Sequence, residues 1–262
     1  MAAVAATSAG TWVAAMSSPS TLRFSLVIPA YNEAVLLPAL LDSVDAARER
    51  YRGGRDSIEV IVADNASSDA TAAIATARGC RVAPVEKRLI AAARNGGAAV
   101  AQGEIVCFID ADSRIHVETF NAIDDTLASG KAIVGATGVR MDRWSVGILV
   151  TWLIALPIVY LMGVDTGVVF CRRADFEAIG GYDEALEYAE DIQLLLDLKR
   201  LGRTRGQGFR RPRGVFTITS SRKFDKHGDW HFLTMMPRIG FWMLFDKKRA
   251  EHESRAYWYE DR

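Results

Sequence analysis

Ile105-Val106-Cys107-Phe108-Ile109 runs directly into Asp110-Ala111-Asp112-Ser113. A short unbroken apolar run of this kind reads as a strand buried on both faces, as in a parallel sheet with helices above and below. Two carboxylates one residue apart at the end of such a strand can hold a hard divalent cation and leave positions open for diphosphate oxygens. A cation held there would neutralise charge on a departing phosphate, which is Lewis-acid catalysis. Asp is common in solvated turns that bind nothing. The buried strand in front of this turn weakens that simpler account.

Upstream, the same grammar repeats. Phe24-Ser25-Leu26-Val27-Ile28 reads as a buried strand that stops at Pro29, and Leu37, Leu40, Leu41, Val44 and Ala47 then recur at helical spacing. Ile58 to Val62 form a second strand ending at Asp64, and Ser68 or Asp69 is placed to cap the Ala-rich helix that follows, with Gly79 closing it. Val82 to Val85 make a third strand. Strands alternating with helices predict an α/β fold of stacked βαβ units. In such sheets ligands bind outside the carboxyl ends of the strands. Asn32 and Glu33, Asp64 and Asn65, and Asp110 and Asp112 therefore should share one crevice.

The remaining polar motifs each admit two readings. Asp64-Asn65-Ala66-Ser67-Ser68-Asp69 can hydrogen-bond a base or ribose, or can simply make a turn and a helix cap. Arg94-Asn95-Gly96-Gly97 interrupts an Ala-rich helical run. Each glycine there costs a helix roughly 1 kcal/mol, which points to a close backbone approach. Glu190-Asp191 opens an amphipathic helix through Ile192, Leu195, Leu196, Leu198 and Leu201. The helix dipole favours acids at that position; a general base would also sit well there. Arg222-Lys223 can grip a phosphate or form a solvated basic turn, and His227 beyond it is a lone histidine with no metal-ligand spacing.

Taken together, these segments resemble the family 2 inverting glycosyltransferases of the GT-A fold over about residues 23–225. The resemblance lies in the order of Val27-Ile28-Pro29-Ala30-Tyr31-Asn32-Glu33, Asp64 with Ser67-Ser68-Asp69, Arg94-Asn95-Gly96 and Asp110-Ala111-Asp112. Thr166-Gly167, Gly180-Gly181-Tyr182-Asp183-Glu184 and Glu190-Asp191 complete it. Each piece is weak alone; seven in this order are specific. The resemblance implies a Rossmann-like, mostly parallel sheet, with a donor lobe at about 23–140 and an acceptor lobe at about 141–225. It implies a nucleotide diphosphate sugar donor contacted by Pro29, Tyr31, Asn32, Glu33, Asp64, Asn65, Arg94, Asp110, Asp112, Arg222 and Lys223. It further implies Mg²⁺ or Mn²⁺ on Asp112, an acceptor hydroxyl near Thr166, Gly167 and Glu190, and Asp191 as the base. Asn65 stands where the family commonly has a second Asp.

Two other functions would leave different marks in the sequence. A sugar-1-phosphate nucleotidyltransferase would carry a Gly-rich basic loop after the first strand, where this chain has Pro29-Ala30-Tyr31-Asn32-Glu33. An inactive nucleotide-sugar binding domain would be expected to have lost Asp112 or Asp191, and both are present.

The bulk properties agree with one catalytic domain. The chain has 262 residues, half of them apolar, with 32 basic and 32 acidic side chains. That balance argues against nucleic-acid binding, which needs a basic excess. Three scattered cysteines without CxxC spacing fit a reducing, cytoplasmic compartment. Residues 1–22 read as an uncharged, disordered leader, and residues 226–262 as an amphipathic C-terminal extension. Trp144 to Gly163 spans twenty residues without a charge. By length it is a candidate membrane span, but a single crossing would part Asp112 from Asp191, which must meet at one sugar. A buried helix or an interfacial one remains, the latter supported by Trp230 to Phe245 between basic runs. An interfacial helix predicts peripheral contact with the inner membrane face and suits a lipid-linked acceptor.

Overall fold

The computed structural model describes residues 22–162, 165–186, 189–245 and 249. Nearly all of the expected leader, and the C-terminal extension past Phe245 apart from Arg249, lie outside them.

The central sheet has seven strands. In chain order they are β1 (Phe24–Ala30), β2 (Ile58–Asp64), β3 (Arg81–Pro84), β4 (Ile105–Phe108), β6 (Ala132–Ala136), β8 (Val169–Arg172) and β9 (Gly208–Arg210). Their spatial order is β3-β2-β1-β4-β8-β6-β9. All pairings are parallel except those of β8, which is antiparallel to β4 and β6. The reversal has a functional consequence. Phe108 at the end of β4 pairs with Val169 at the start of β8. Thr166 and Gly167, just before β8, are thereby carried to the same sheet edge as the ends of β1, β2 and β4.

Alternation along the strands builds two cores. Leu26 and Ile28 of β1 and Val60 and Val62 of β2 face one side, where they meet α1 (Leu37–Arg50) and α4 (Thr119–Ala128) through Leu40, Val44, Phe120 and Ile123. Val27, Ile61 and Ala63 face the other, against α3 (Ile90–Ala99), α6 (Arg173–Ala178) and α7 (Glu190–Arg203). Both faces of the sheet are covered, so its strands read as continuous apolar runs rather than alternating ones.

Two expectations of local structure change. The short helix α2 (Thr71–Ala77) has Ala70 at its N-cap without a side-chain cap; Asp69 Oδ1 instead accepts from the Thr71 amide at 2.9 Å. Helix α3 is not interrupted at Arg94-Asn95-Gly96-Gly97 but runs through it. The glycines serve the close approach inferred for them. A Cβ on Gly97 would fall 2.4 Å from Val27 Cγ1, and one on Gly96 would fall 2.5 Å from Val85 Cγ2. Gly97→Ala therefore trades a helix-propensity gain of about 1 kcal/mol against overpacking of about 1–3 kcal/mol in a rigid core. A net loss of stability is expected in denaturant unfolding, the reverse of what propensity alone predicts.

A smaller sheet stands over the crevice. It pairs β5 (Ser113–Arg114), β10 (Thr217–Thr219) and β7 (Val139–Met141), with β10 in the middle. Thr219 pairs with Ser113, and the Ser220 amide donates to the Asp112 carbonyl at 3.2 Å. That pairing brings residues 220–223, distant in sequence, onto the turn after β4.

Candidate active site

The first crevice residues are fixed by two loops that hold one another. The Asn32 amide donates to Ser67 Oγ at 3.0 Å, and Ser68 N returns a bond to Asn32 Oδ1 at 2.8 Å. The Glu33 amide donates to Thr71 Oγ1 at 2.8 Å, and the Ala34 amide to Asp69 Oδ2 at 3.0 Å. Asn32 has φ +52°, a left-handed conformation that Asn tolerates better than most residues. The segments singled out after β1 and β2 are thus one interlocked unit at the carboxyl edge of the sheet. Pro29 lies within β1 itself, Asp64 ends β2 with Oδ1 accepting from Ser67 N, and the Arg88 guanidinium lies 3.9 Å from the Tyr31 ring centroid. Asn65 is buried, and its amide donates to the carbonyls of Val85 and Lys87 at 3.1 and 2.7 Å. Its NH₂ group is therefore engaged in tethering the loop after β3.

At the centre lies a cavity of about 590 Å³. Asp110 and Asp112, Thr166 and Gly167, Glu190 and Asp191, Arg94 and Lys223 all line it. The end of β4, the start of β8, the first turns of α7 and of α8 (Arg222–His227) and the middle of α3 thus converge on one space.

Arg94 organises one wall. Its side chain is buried, and its guanidinium reaches Glu190 Oε1 at 2.8 Å, Asp191 Oδ1 at 2.9 Å and Asp110 Oδ1 at 3.0 Å. Burial works against the charge, but Asp191, Tyr182, Asp110 and Glu190 outweigh it and hold Arg94 well above its ordinary range. Arg94 therefore binds protein carboxylates here, a positioning role next to the donor contact expected of it. Arg94→Met would leave those carboxylates facing one another. A cost of about 3–5 kcal/mol is expected on removal of one partner from a buried ionic cluster, read as a fall of roughly 10 °C in thermal midpoint.

Asp191 is the second residue of α7, which starts directly after Ala189, whose φ of +59° turns the chain sharply into the helix. Its side chain keeps 26% exposure toward the cavity. Burial is the largest influence on the carboxyl, and Glu190 and Asp110 push in the same direction. Arg94 and a hydrogen bond from Tyr182 pull back, and the outcome is a pKa of about 6. A carboxylate so poised can accept a proton near neutrality. Tyr182, whose hydroxyl donates to Asp191 Oδ1 at 3.1 Å, is itself held well above its ordinary pKa, by burial first and Asp191 second, and so remains a donor.

Tyr182 is the site residue the candidate set lacked, although the Gly180-Gly181-Tyr182 segment contained it. It packs edge-on against Phe108, and its backbone is gripped by Asn95, which accepts from Tyr182 N and donates to Tyr182 O, both at 2.9 Å. Gly181 makes this possible. Its φ is +78°, and a Cβ there would lie 2.7 Å from Asn95 Oδ1.

Arg222 fixes Asp112. Its guanidinium donates to both Glu33 oxygens at 3.1 Å and to Asp112 Oδ2 at 3.4 Å. Glu33 is buried, so its carboxylate supports Arg222 from behind. Asp112 offers a hard oxygen donor, 22% exposed, on the cavity wall. That suits Mg²⁺ or Mn²⁺ completed by diphosphate oxygens and water, since these ions keep open coordination positions in phosphate sites. Among the described residues no cluster of three or more His, Cys, Asp or Glu side chains forms a closed protein-only metal cage. The fit is to a shared site.

With this geometry in place, comparison with known proteins is decisive for the first half of the chain. Residues 25–149 match the model of Glycosyl transferase family 2. They belong to that family. The glycosyl transferase family 2 segment holds β1 to β4 and the Asp110-Ala111-Asp112 turn; Asp191 and Arg222 lie beyond it. Among curated proteins, a dolichyl-phosphate beta-glucosyltransferase of Dictyostelium discoideum is 29% identical over 116 residues, covering 40% of this chain and 36% of its own. The chain spans about a third of the length of the curated relatives it matches. Among solved structures, S. aureus TarS 1-349 with UDP-GlcNAc superposes with a TM-score of 0.60 at 20% identity, over 76% of this chain and 59% of that one. The mannosyltransferase PcManGT of Pyrobaculum calidifontis, in complex with GDP-Man and Mn²⁺, gives 0.61 at 19% identity, over 90% and 73%. These likenesses establish the GT-A fold.

Proposed function

We propose that the protein is a glycosyltransferase that moves a sugar from a nucleotide diphosphate donor to an acceptor hydroxyl with inversion at the anomeric carbon. The single observation that carries this reading is that Asp112 and Asp191, far apart in sequence, line one cavity. The nucleotide lies across the β1 and β2 loops, with Tyr31, Asn32 and Asp64 at its base and ribose. The diphosphate lies at Asp112, Arg222 and Lys223. A divalent cation, Mg²⁺ or Mn²⁺, when bound at Asp112 supplies Lewis-acid stabilisation of the leaving nucleotide; the Pyrobaculum relative holds its GDP-Man together with Mn²⁺.

The chain's own residues do the rest. Glu33 fixes Arg222 beside the diphosphate, where a preformed cation stabilises charge as it develops. Arg94 and Tyr182 aim the Asp191 carboxylate into the cavity. Thr166 and Gly167 shape the acceptor floor, and Glu190, engaged by Arg94, closes it. Asp191 takes the proton from the acceptor oxygen as that oxygen attacks the anomeric carbon from the face opposite the diphosphate. One displacement on one face inverts the configuration. The test is proton NMR of the product from an α-linked nucleotide sugar. A β-linked initial product is expected; an α-linked one would rule out single displacement and with it the role of Asp191.

A further inference from the structure

Helix α5 (Val146–Met162) is apolar on every side. It carries no charge, and Thr151 and Tyr160 are its polar side chains. Its start is clamped to the body. Ile148 is buried, and a Cβ on Gly147 would lie 2.6 Å from the Asp229 carbonyl oxygen. Past Thr151 the helix emerges. Each of residues 152–157 is exposed, Leu153 at 55% and Ile154 at 54%. Successive residues are ~100° apart around a helix, so six in a row cover its whole circumference. A protein partner docking on one side would cover a stripe. Exposure on all sides calls for surroundings that are apolar all round, which hydrocarbon provides.

Among the described residues the helix is too short to cross. Its 17 residues span about 25 Å, short of a hydrocarbon core of about 30 Å. Among the described residues no helix is long and apolar enough to span a membrane. Its neighbours fit the headgroup level instead. Trp144 and Trp152 pack edge to face at 5.8 Å, and Trp230, just before α9 (His231–Phe245), is 52% exposed. Lys226 and Arg238 are exposed nearby in sequence. Trp with flanking cations is the composition of an interfacial segment on anionic lipid. The emerging helix also touches the chemistry: Thr151 and Ala155 of α5 line the same cavity as Asp191, together with Phe224 and Phe232.

We infer that α5 docks the protein on an anionic bilayer, entering from one side without spanning, and that the acceptor is lipid-linked, its hydroxyl in the cavity and its tail along α5. The acceptor part rests on the proposed function; the docking does not. Flotation with phosphatidylglycerol-containing vesicles at low salt tests the docking. The wild type is expected to float, and Leu153→Glu with Ile154→Glu, both exposed and neither lining the cavity, should lower the bound fraction by ~100-fold. Both proteins should show the same thermal shift with the UDP- or GDP-sugar that binds. A wild type that stays at the bottom of the gradient overturns the docking. A wild-type dimer that the double variant dissociates, with no flotation of either, assigns α5 to a second copy and also overturns it. Flotation without a shift by any nucleotide sugar upholds the docking and removes the proposed function instead.

Discussion

Asp191→Asn is expected to retain donor affinity and to lose on the order of 10²–10⁴ in turnover, the usual contribution of a positioned general base. Asn keeps the size of the side chain and can still accept from Tyr182 and Arg94, so the wall should stand while proton acceptance is lost. The pH profile sharpens the expectation. Asp191 must be ionised to act, and its pKa is raised to about 6, chiefly by burial. The rate should therefore rise with pH through about 6 and level off above it. An unperturbed Asp would give that limb near 4 (~3.9). The limb should vanish in the residual activity of Asp191→Asn. A variant whose donor affinity collapses while its rate survives would make Asp191 a binding residue.

Asp112→Ala is expected to have the larger effect, with turnover falling below detection and metal-dependent donor binding lost. Its carboxylate is the hard donor that faces the cavity, and its Arg222 neighbour stands 3.4 Å away. Removing it takes away the ligand for the cation and leaves Arg222 on Glu33 alone. Two negative charges on a bound diphosphate would then lack their bridge, and electrostatic stabilisation of the leaving group is usually the largest catalytic contribution. Nucleoside diphosphate release, followed with Mn²⁺ and with excess EDTA, measures this. Full wild-type activity in EDTA would show that the cation is not used.

Much of this architecture was legible because a strand buried on both faces leaves a continuous apolar run, and polar residues then mark where each strand ends. Phe24–Ile28, Ile58–Val62 and Ile105–Ile109 all follow that rule, and so Asn32, Asp64 and Asp112 fall on one sheet edge. Where periodicity misled, tertiary packing was the cause. Gly96 and Gly97 looked like an interruption of a helix, whereas they let an intact α3 lie against Val27 and Val85. Long-range pairing was invisible. The Thr219–Ser113 register that delivers Arg222 to Glu33 and Asp112 joins residues 106 apart and leaves no local pattern. For the same reason, the protein contacts of Arg94, Glu33 and the Asn65 NH₂ group leave no mark in the sequence. Asp191 was placed by order of motifs; its partners Tyr182 and Arg94 emerged from geometry.

At the centre of the proposed function, one cavity holds a nucleotide sugar through Asp112. Thermal unfolding of the wild type and Asp112→Ala, with a panel of UDP- and GDP-sugars and Mn²⁺ or EDTA, tests it most directly. A donor at about 100 times its dissociation constant adds about 2.7 kcal/mol, or roughly 5–10 °C in a domain of this size. That shift is expected for the wild type with Mn²⁺ and at least one sugar nucleotide, and its loss both in EDTA and in Asp112→Ala. A shift of equal size in Asp112→Ala, or none with any sugar nucleotide, would contradict it.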